Sequence, residues 1–192
     1  EPIVPSAEMD LNTLSVTQLQ RLQTQGLSDE IFERVMQRAL IVKHAGLSYR
    51  LLSEFLTQRP QLVEQQADEA EQAYVQLAEI CSRSLRDEEA LEWLERGFQF
   101  TKSRGGSFEK LLMWKMRELS LRSRDVEEPA FREVLLELWN HYGGKLPAVR
   151  ARLEGFVRTL GIEAPWEGAI LTPQLSASGP VWTAESEQSS TS

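Results

Sequence analysis

The sequence predicts an all-α protein built of antiparallel helical hairpins, and three observations carry that prediction. Apolar residues recur at steps of three and four over most of the chain. Glycines and prolines fall between those stretches rather than within them. No segment keeps up the period-two alternation of a half-buried strand.

In chain order, residues 1–14 carry Pro2 and Pro5 and no apolar period, and read as a linker or extended lead-in. Helices are then expected at about 15–25, 28–44, 47–58, 60–84, 87–103, 107–123, 128–142 and 147–160. They are separated at Gly26, Gly46, Pro60, Ser84–Arg86, Gly105-Gly106, Pro129, Gly143-Gly144, Pro147 and Gly161. Glycine suits the left-handed residue after a helix, and proline suits the first helical position. In 63–81 the apolar set Val63, Ala67, Ala70, Tyr74, Leu77 and Cys81 makes one stripe, leaving Glu64, Asp68, Glu71 and Glu79 on other faces. Phe131, Val134, Leu135, Leu138, Trp139 and Tyr142 do the same in 131–142. Ser28 before Asp29-Glu30, and Ser107 before Glu109, supply N-caps and first-turn acids. The helical domain is thus 15–162. Residues 163–192 form an extended, Trp-containing, Ser-rich tail. Composition alone equally allows a disordered tail; Trp166, Ile170, Leu171, Val181 and Trp182 favour one laid over the helical body, or into a second copy's groove as a homodimer.

The 192 residues are 41% apolar and carry a net charge of −8. That content is enough for a packed core and argues against wholesale disorder and a general polyanion binder. No apolar run approaches the roughly 20 residues of a membrane helix. The start, Glu1-Pro2-Ile3-Val4-Pro5, lacks the basic-then-apolar pattern of a secretory signal and lacks Met, so a processed chain or a piece of a longer protein is expected. Cys81 is the lone cysteine and falls in a helical stripe, where a thiol acts as a small buried hydrophobe. A cytoplasmic location is expected, although a disulfide-free envelope protein has the same cysteine usage.

Catalytic candidates are few. His44 and His141 lie far apart with no metal-ligand spacing around them, and Glu137 with His141 makes two unlike ligands, short of a zinc site. No nucleotide-binding glycine loop or nucleophile elbow occurs, and Ser103–Ser107 reads as an inter-helix turn. No metal or cofactor is expected, and no catalysis. Charge is segregated instead. Residues 64–95 hold ten acids and two bases, and residues 96–124 hold eight bases and two acids. Either neighbouring helices bear complementary faces, or 96–124 offers a basic surface to an acidic peptide, a carboxylate or a nucleic-acid strand.

Tyr74, Leu77, Ala78, Ala90, Leu94 and Gly97 occupy the offsets of a tetratricopeptide repeat over 71–104. Trp114, Ala130 and Val134 recur in part forty residues on, with Arg117 and Glu118 in place of the Leu-Gly/Ala pair; Ala39, Gly46, Phe55 and Pro60 make a weaker pair upstream. The chain therefore resembles a tetratricopeptide-like α-solenoid. The resemblance implies a concave groove lined by Gln72, Val75, Glu79, Ser82 and Arg83, then Leu112, Lys115, Leu119, Arg122 and Ser123. Of these, Lys115 and Arg122 would hold acidic or carboxylate groups. It implies an adaptor or scaffold for a protein or peptide partner. A nucleic-acid or anion-binding domain using 96–124, and an assembly domain, are the alternatives.

Overall fold

The computed structural model describes residues 1–169. Among these the structure is all-helical, with one isolated bridge, Ile3 to Leu22, as its extended pairing. No described helix is long and apolar enough to cross a membrane. The chain divides into two compact units, the first Glu1–Glu127 and the second starting at Glu128, a boundary that falls inside the stretch read as one domain.

In the first unit, residues 1–14, read as an extended lead-in, are packed and end in a 3-10 turn, Leu11–Thr13, with Leu11 buried. The Ile3 amide donates to the Arg21 carbonyl (2.9 Å), and the Gln23 amide donates to the Ile3 carbonyl (2.7 Å). Helix α1 is only Val16–Gln20, shorter than the expected 15–25, and a Ser15–Gln18 capping box starts it. Helix α2 (Asp29–Val42) begins at Ser28, whose hydroxyl accepts from the Ile31 amide. Its Arg34 donates to the carbonyls of Ala7 and Met9, and its Arg38 to those of Leu11 and Asn12. These cationic donors satisfy carbonyls of a segment whose only helical element is the 3-10 turn Leu11–Thr13.

Helix α3 (Ala45–Gln58) is capped by His44, whose Nδ1 accepts from the Leu47 amide (3.1 Å). The single helix expected over 60–84 is two: α4 (Pro60–Gln65) and α5 (Ala67–Arg83), parted at Gln66, whose backbone leaves the helical region (φ −126°, ψ 59°). No proline or glycine signals that break. The Gln66 side chain donates to the Glu33 carboxylate of α2 (2.6 Å), a tertiary contact. Helix α6 (Asp87–Ser103) returns antiparallel to α5, and α7 (Phe108–Arg122) packs on α6. The core runs through Phe32, Val35, Leu51, Phe55, Leu77 and Cys81, all fully buried, and each large side chain contributes about 1.5–3 kcal/mol.

The second unit holds α8 (Pro129–Glu137), a π-helical turn (Leu138–Tyr142), the short α9 (Gly143–Lys145), α10 (Pro147–Leu160) and α11 (Pro165–Ala169). The helix expected over 128–142 thus widens in its last turn. Trp139, in that turn, stacks on Trp166 at 4.0 Å between centroids and 3° between planes. Trp166 is buried, so the region read as tail begins as a packed helix. Ile170, Leu171, Val181 and Trp182, with the homodimer expected through them, lie outside the described residues.

Candidate functional site

Helix α5 is the center of the candidate site, because its two long edges open on different clefts of the first unit. The α5–α6 hairpin buries Leu77, Ala78, Ala90, Leu94 and Gly97, the small and bulky positions of the repeat offsets. Tyr74 is half-buried against Trp93 (6.2 Å between centroids) and Phe100 (5.7 Å). With Tyr74, Leu77 and Cys81 turned toward neighbouring helices, Gln72 and Glu79 are left exposed.

A cleft of about 250 Å³ lies between α5 and α7. Val75, Ala78, Glu79 and Ser82 line one wall, and Arg117, Ser120, Leu121 and Arg124 the other. Arg117, Ser120/Leu121 and Arg124 share one face of the chain at helical spacing. Arg124 donates to the Ser82 carbonyl (3.2 Å) and hydroxyl (2.7 Å) and pairs with Asp87.

A larger cleft, about 620 Å³, lies between α2, α3 and α5. Leu40 of α2 is the partly exposed apolar side chain of its floor, backed by Met36 of α2, Leu52 and Phe55 of α3 and Ala73 of α5, which are buried. Its rim is acidic: Glu33, Asp68, Glu69 and Glu71, with Gln72 and Gln76 between and Lys110 as the cation. Lys110 reaches Glu71 at 3.2 Å and Asp68 at 3.8 Å. Glu33 accepts from Gln37 and Gln66.

The residues expected to line a groove therefore separate. Gln72 lines the larger cleft, whereas Val75, Glu79 and Ser82 line the smaller. Arg83 is exposed in the last turn of α5 and lines neither cleft. Leu119 is fully buried and is a core residue, not a contact for a ligand. Lys115 and Arg122 do come together, but on Glu118: Lys115 Nζ stands 3.3 Å and Arg122 Nε 3.0 Å from its carboxylate, with all three side chains at most 20% exposed. Lys115 also lies over the Phe98 ring (4.8 Å). Glu118, which stands at the Gly/Ala offset of the repeat pattern, cancels much of the charge expected to grip a carboxylate. Leu112 and Ser123 are half-buried.

The charge segregation resolves in the same way. Arg104 meets Glu64 at 2.9 Å, Lys110 meets Asp68 and Glu71, and Arg124 meets Asp87. Arg96 lies over Trp93, and Lys102 over Phe98. Acidic and basic segments pair across the fold, each exposed pair contributing no more than about 1 kcal/mol.

Cys81 is buried, and burial raises its thiol pKa above the ordinary value, with the Glu89 charge adding to the effect. That is the opposite of an activated nucleophile. Among the described residues no group of three or more His, Cys, Asp or Glu is placed to hold a metal ion. Sequence reasoning missed Glu33, Met36 and Leu40 on α2 and Leu52 and Phe55 on α3. Their helical spacing marks apolar stripes, but nothing in it shows that α2, α3 and α5 stand apart enough to leave a cleft. The chain matches no protein-family model, and no curated protein or solved structure is similar to it at a significant level. The site accordingly stands on its own geometry.

Proposed function

We propose that the chain is a non-enzymatic protein-interaction module of tetratricopeptide-like helical hairpins, which takes a peptide segment of a partner protein across the exposed edge of α5. One observation carries this: an open cleft of about 620 Å³ with an apolar floor beside exposed Gln72. Peptide grooves bury apolar anchors on such floors and fix register with polar groups at the rim. The hairpin α5–α6 and its packing on α7, with small residues at the approach points, support the repeat-like arrangement. The short α4 between the α2–α3 and α5–α6 pairs departs from a regular array. A cytoplasmic setting is part of the same proposal.

A nucleic-acid or anion-binding role for 96–124 is the weaker reading, because Arg104, Lys110, Lys115, Arg122 and Arg124 are already in ion pairs within the first unit. Counterion release from a polyanion requires cations that are not already neutralised by carboxylates.

The test is selection of a random peptide library on the full chain, followed by titration of the enriched peptides against wild type and Gln72→Arg. Peptides that lose about tenfold or more in affinity on Gln72→Arg are expected, a loss equivalent to about 1.4 kcal/mol. No enriched peptide, or peptides indifferent to Gln72→Arg, would overturn the role.

A further inference from the structure

We infer that the cleft between α2, α3 and α5 takes a basic amphipathic peptide, one with Leu- or Phe-like anchors flanked by lysine or arginine. The inference deepens the peptide-binding role proposed above and rests on it. Two independent properties of the cleft coincide. Its floor is apolar: Leu40 of α2 is partly exposed there, and Met36 one helical turn before it, with Leu52, Phe55 and Ala73, closes the floor from behind as buried residues. Its rim carries Glu33, Asp68, Glu69 and Glu71 against one lysine, so the opening has a formal charge of −3.

A floor of this kind selects apolar side chains by the area they lose to water. The rim decides which apolar peptides come in. Asp68 is 91% exposed at the start of α5, and Glu69 beside it is exposed as well. An incoming cation therefore meets them without a large desolvation cost, and the attraction acts mainly on encounter and on selectivity. An acidic peptide on the same floor is repelled, so the rim discriminates by exclusion as well as attraction.

Lys110 makes the idea sharper. Its ammonium reaches across from α7 to Glu71 and Asp68, the place where a lysine of the ligand would sit. It is half-exposed, on a long flexible stem, and its pairs are surface pairs of small individual energy. The intramolecular lysine is thus a weak stand-in for the ligand's cation. Removing it should improve binding of a basic peptide, which no simple loss of structure would do.

The experiment titrates the full chain with a labelled synthetic peptide of leucine and lysine in helical spacing. One control peptide has lysine replaced by glutamate, and another has leucine replaced by serine. Five proteins are compared: wild type, Lys110→Ala, Glu69→Lys, Gln72→Arg, and Glu92→Lys, which alters an exposed α6 acid away from the cleft. Circular dichroism verifies that each is folded. The expected result is binding of the Leu/Lys peptide alone, strengthened about threefold or more by Lys110→Ala, weakened about tenfold by Glu69→Lys and by Gln72→Arg, and unmoved by Glu92→Lys.

No binding of the Leu/Lys peptide overturns the inference. Equal binding of the serine control, or an equal loss on Glu92→Lys, also overturns it, by showing attraction to net charge without the floor. Binding of the glutamate control with sensitivity to Gln72→Arg refutes the basic ligand but leaves the peptide-binding role standing. Indifference of all three peptides to every cleft variant removes the role itself. A change in sedimenting mass on Lys110→Ala, without peptide, would assign the cleft to a second copy and overturn the inference.

Discussion

The Cβ that Gly97 lacks would stand 2.3 Å from Cη2 of Trp114, so α6 and α7 approach at a point where only glycine leaves room for the indole. The ring is held from its other end by a hydrogen bond from Trp114 Nε1 to the Thr101 hydroxyl at 2.8 Å, one turn further along α6. Both side chains are buried. This contact fixes α7 on the hairpin, and with it the position of Lys110 at the rim of the larger cleft. Gly97→Ala is expected to lose about 1–3 kcal/mol by overpacking, against a helix-propensity gain of up to about 1 kcal/mol. A double-mutant cycle with Trp114→Phe measures the coupling by urea denaturation. Simple additivity of the two substitutions would show that they do not meet.

Thr101→Val keeps the shape of the side chain and removes the acceptor of the indole N–H. A buried donor left unpaired costs about 1–3 kcal/mol. Urea midpoints should show that loss, whereas Thr101→Ser, which retains the hydroxyl, should recover most of it. Equal losses for the two would mean that the methyl group matters and the hydrogen bond does not.

The features legible in the sequence are those set by local chemistry. Gly97 falls at a repeat offset reserved for a small residue, and Trp114 one helix later is the reason such a residue is needed. Ser28 and Ser107 start helices because their hydroxyls satisfy amides three residues on. The features that stayed hidden depend on partners remote in the chain. Gln66, where one expected helix becomes two, bonds Glu33 of α2, and the carbonyls of 7–12 are met by arginines at 34 and 38. Several partners of the basic segment are likewise about forty residues away, as in Arg104 with Glu64 and Lys110 with Glu71. Charge counting exposed the segregation of acids and bases. It offered complementary helix faces as one of two readings without deciding between them, and it did not reveal that Leu119 would point into the core.

Leu85, at the tip of the α5–α6 hairpin, combines a left-handed backbone (φ 58°) with a side chain 83% exposed. A residue with a Cβ pays about 1–2 kcal/mol in that conformation. The side chain contributes little burial in return. Leu85→Gly should therefore raise stability by about 0.5–1 kcal/mol, after the added freedom of glycine in the unfolded chain is offset. A lower urea midpoint for Leu85→Gly would show that the leucine packs on something the exposed tip does not reveal.

The N-terminal segment offers a test of local rather than global stability. Arg34→Ala with Arg38→Ala removes the donors to the carbonyls of Ala7, Met9, Leu11 and Asn12. Hydrogen exchange at the Ile3 and Gln23 amides should then speed up while the core of α5 and α6 stays protected. Uniform loss of protection would mean that the segment is part of the cooperative core.

Alkaline pH should act on the hairpin core. The Tyr49 hydroxyl donates to the Glu89 carboxylate, which also pairs with Arg86 at 2.7 Å, and this hydrogen bond, with desolvation, raises the Tyr49 pKa above its ordinary value of 10.0. Burial raises Tyr74 and Cys81 similarly. These groups are neutral when protonated, so above their unfolded values the folded chain binds more protons than the unfolded chain. Their stabilisation is complete below the ordinary values of 9.0 for cysteine and 10.0 for tyrosine, and is lost as pH rises through the folded ones. Urea midpoints should hold near neutral pH and fall in that alkaline window. Tyr49→Phe, which has no proton to lose, should fall less steeply. An identical alkaline decline in Tyr49→Phe would assign the loss to other groups.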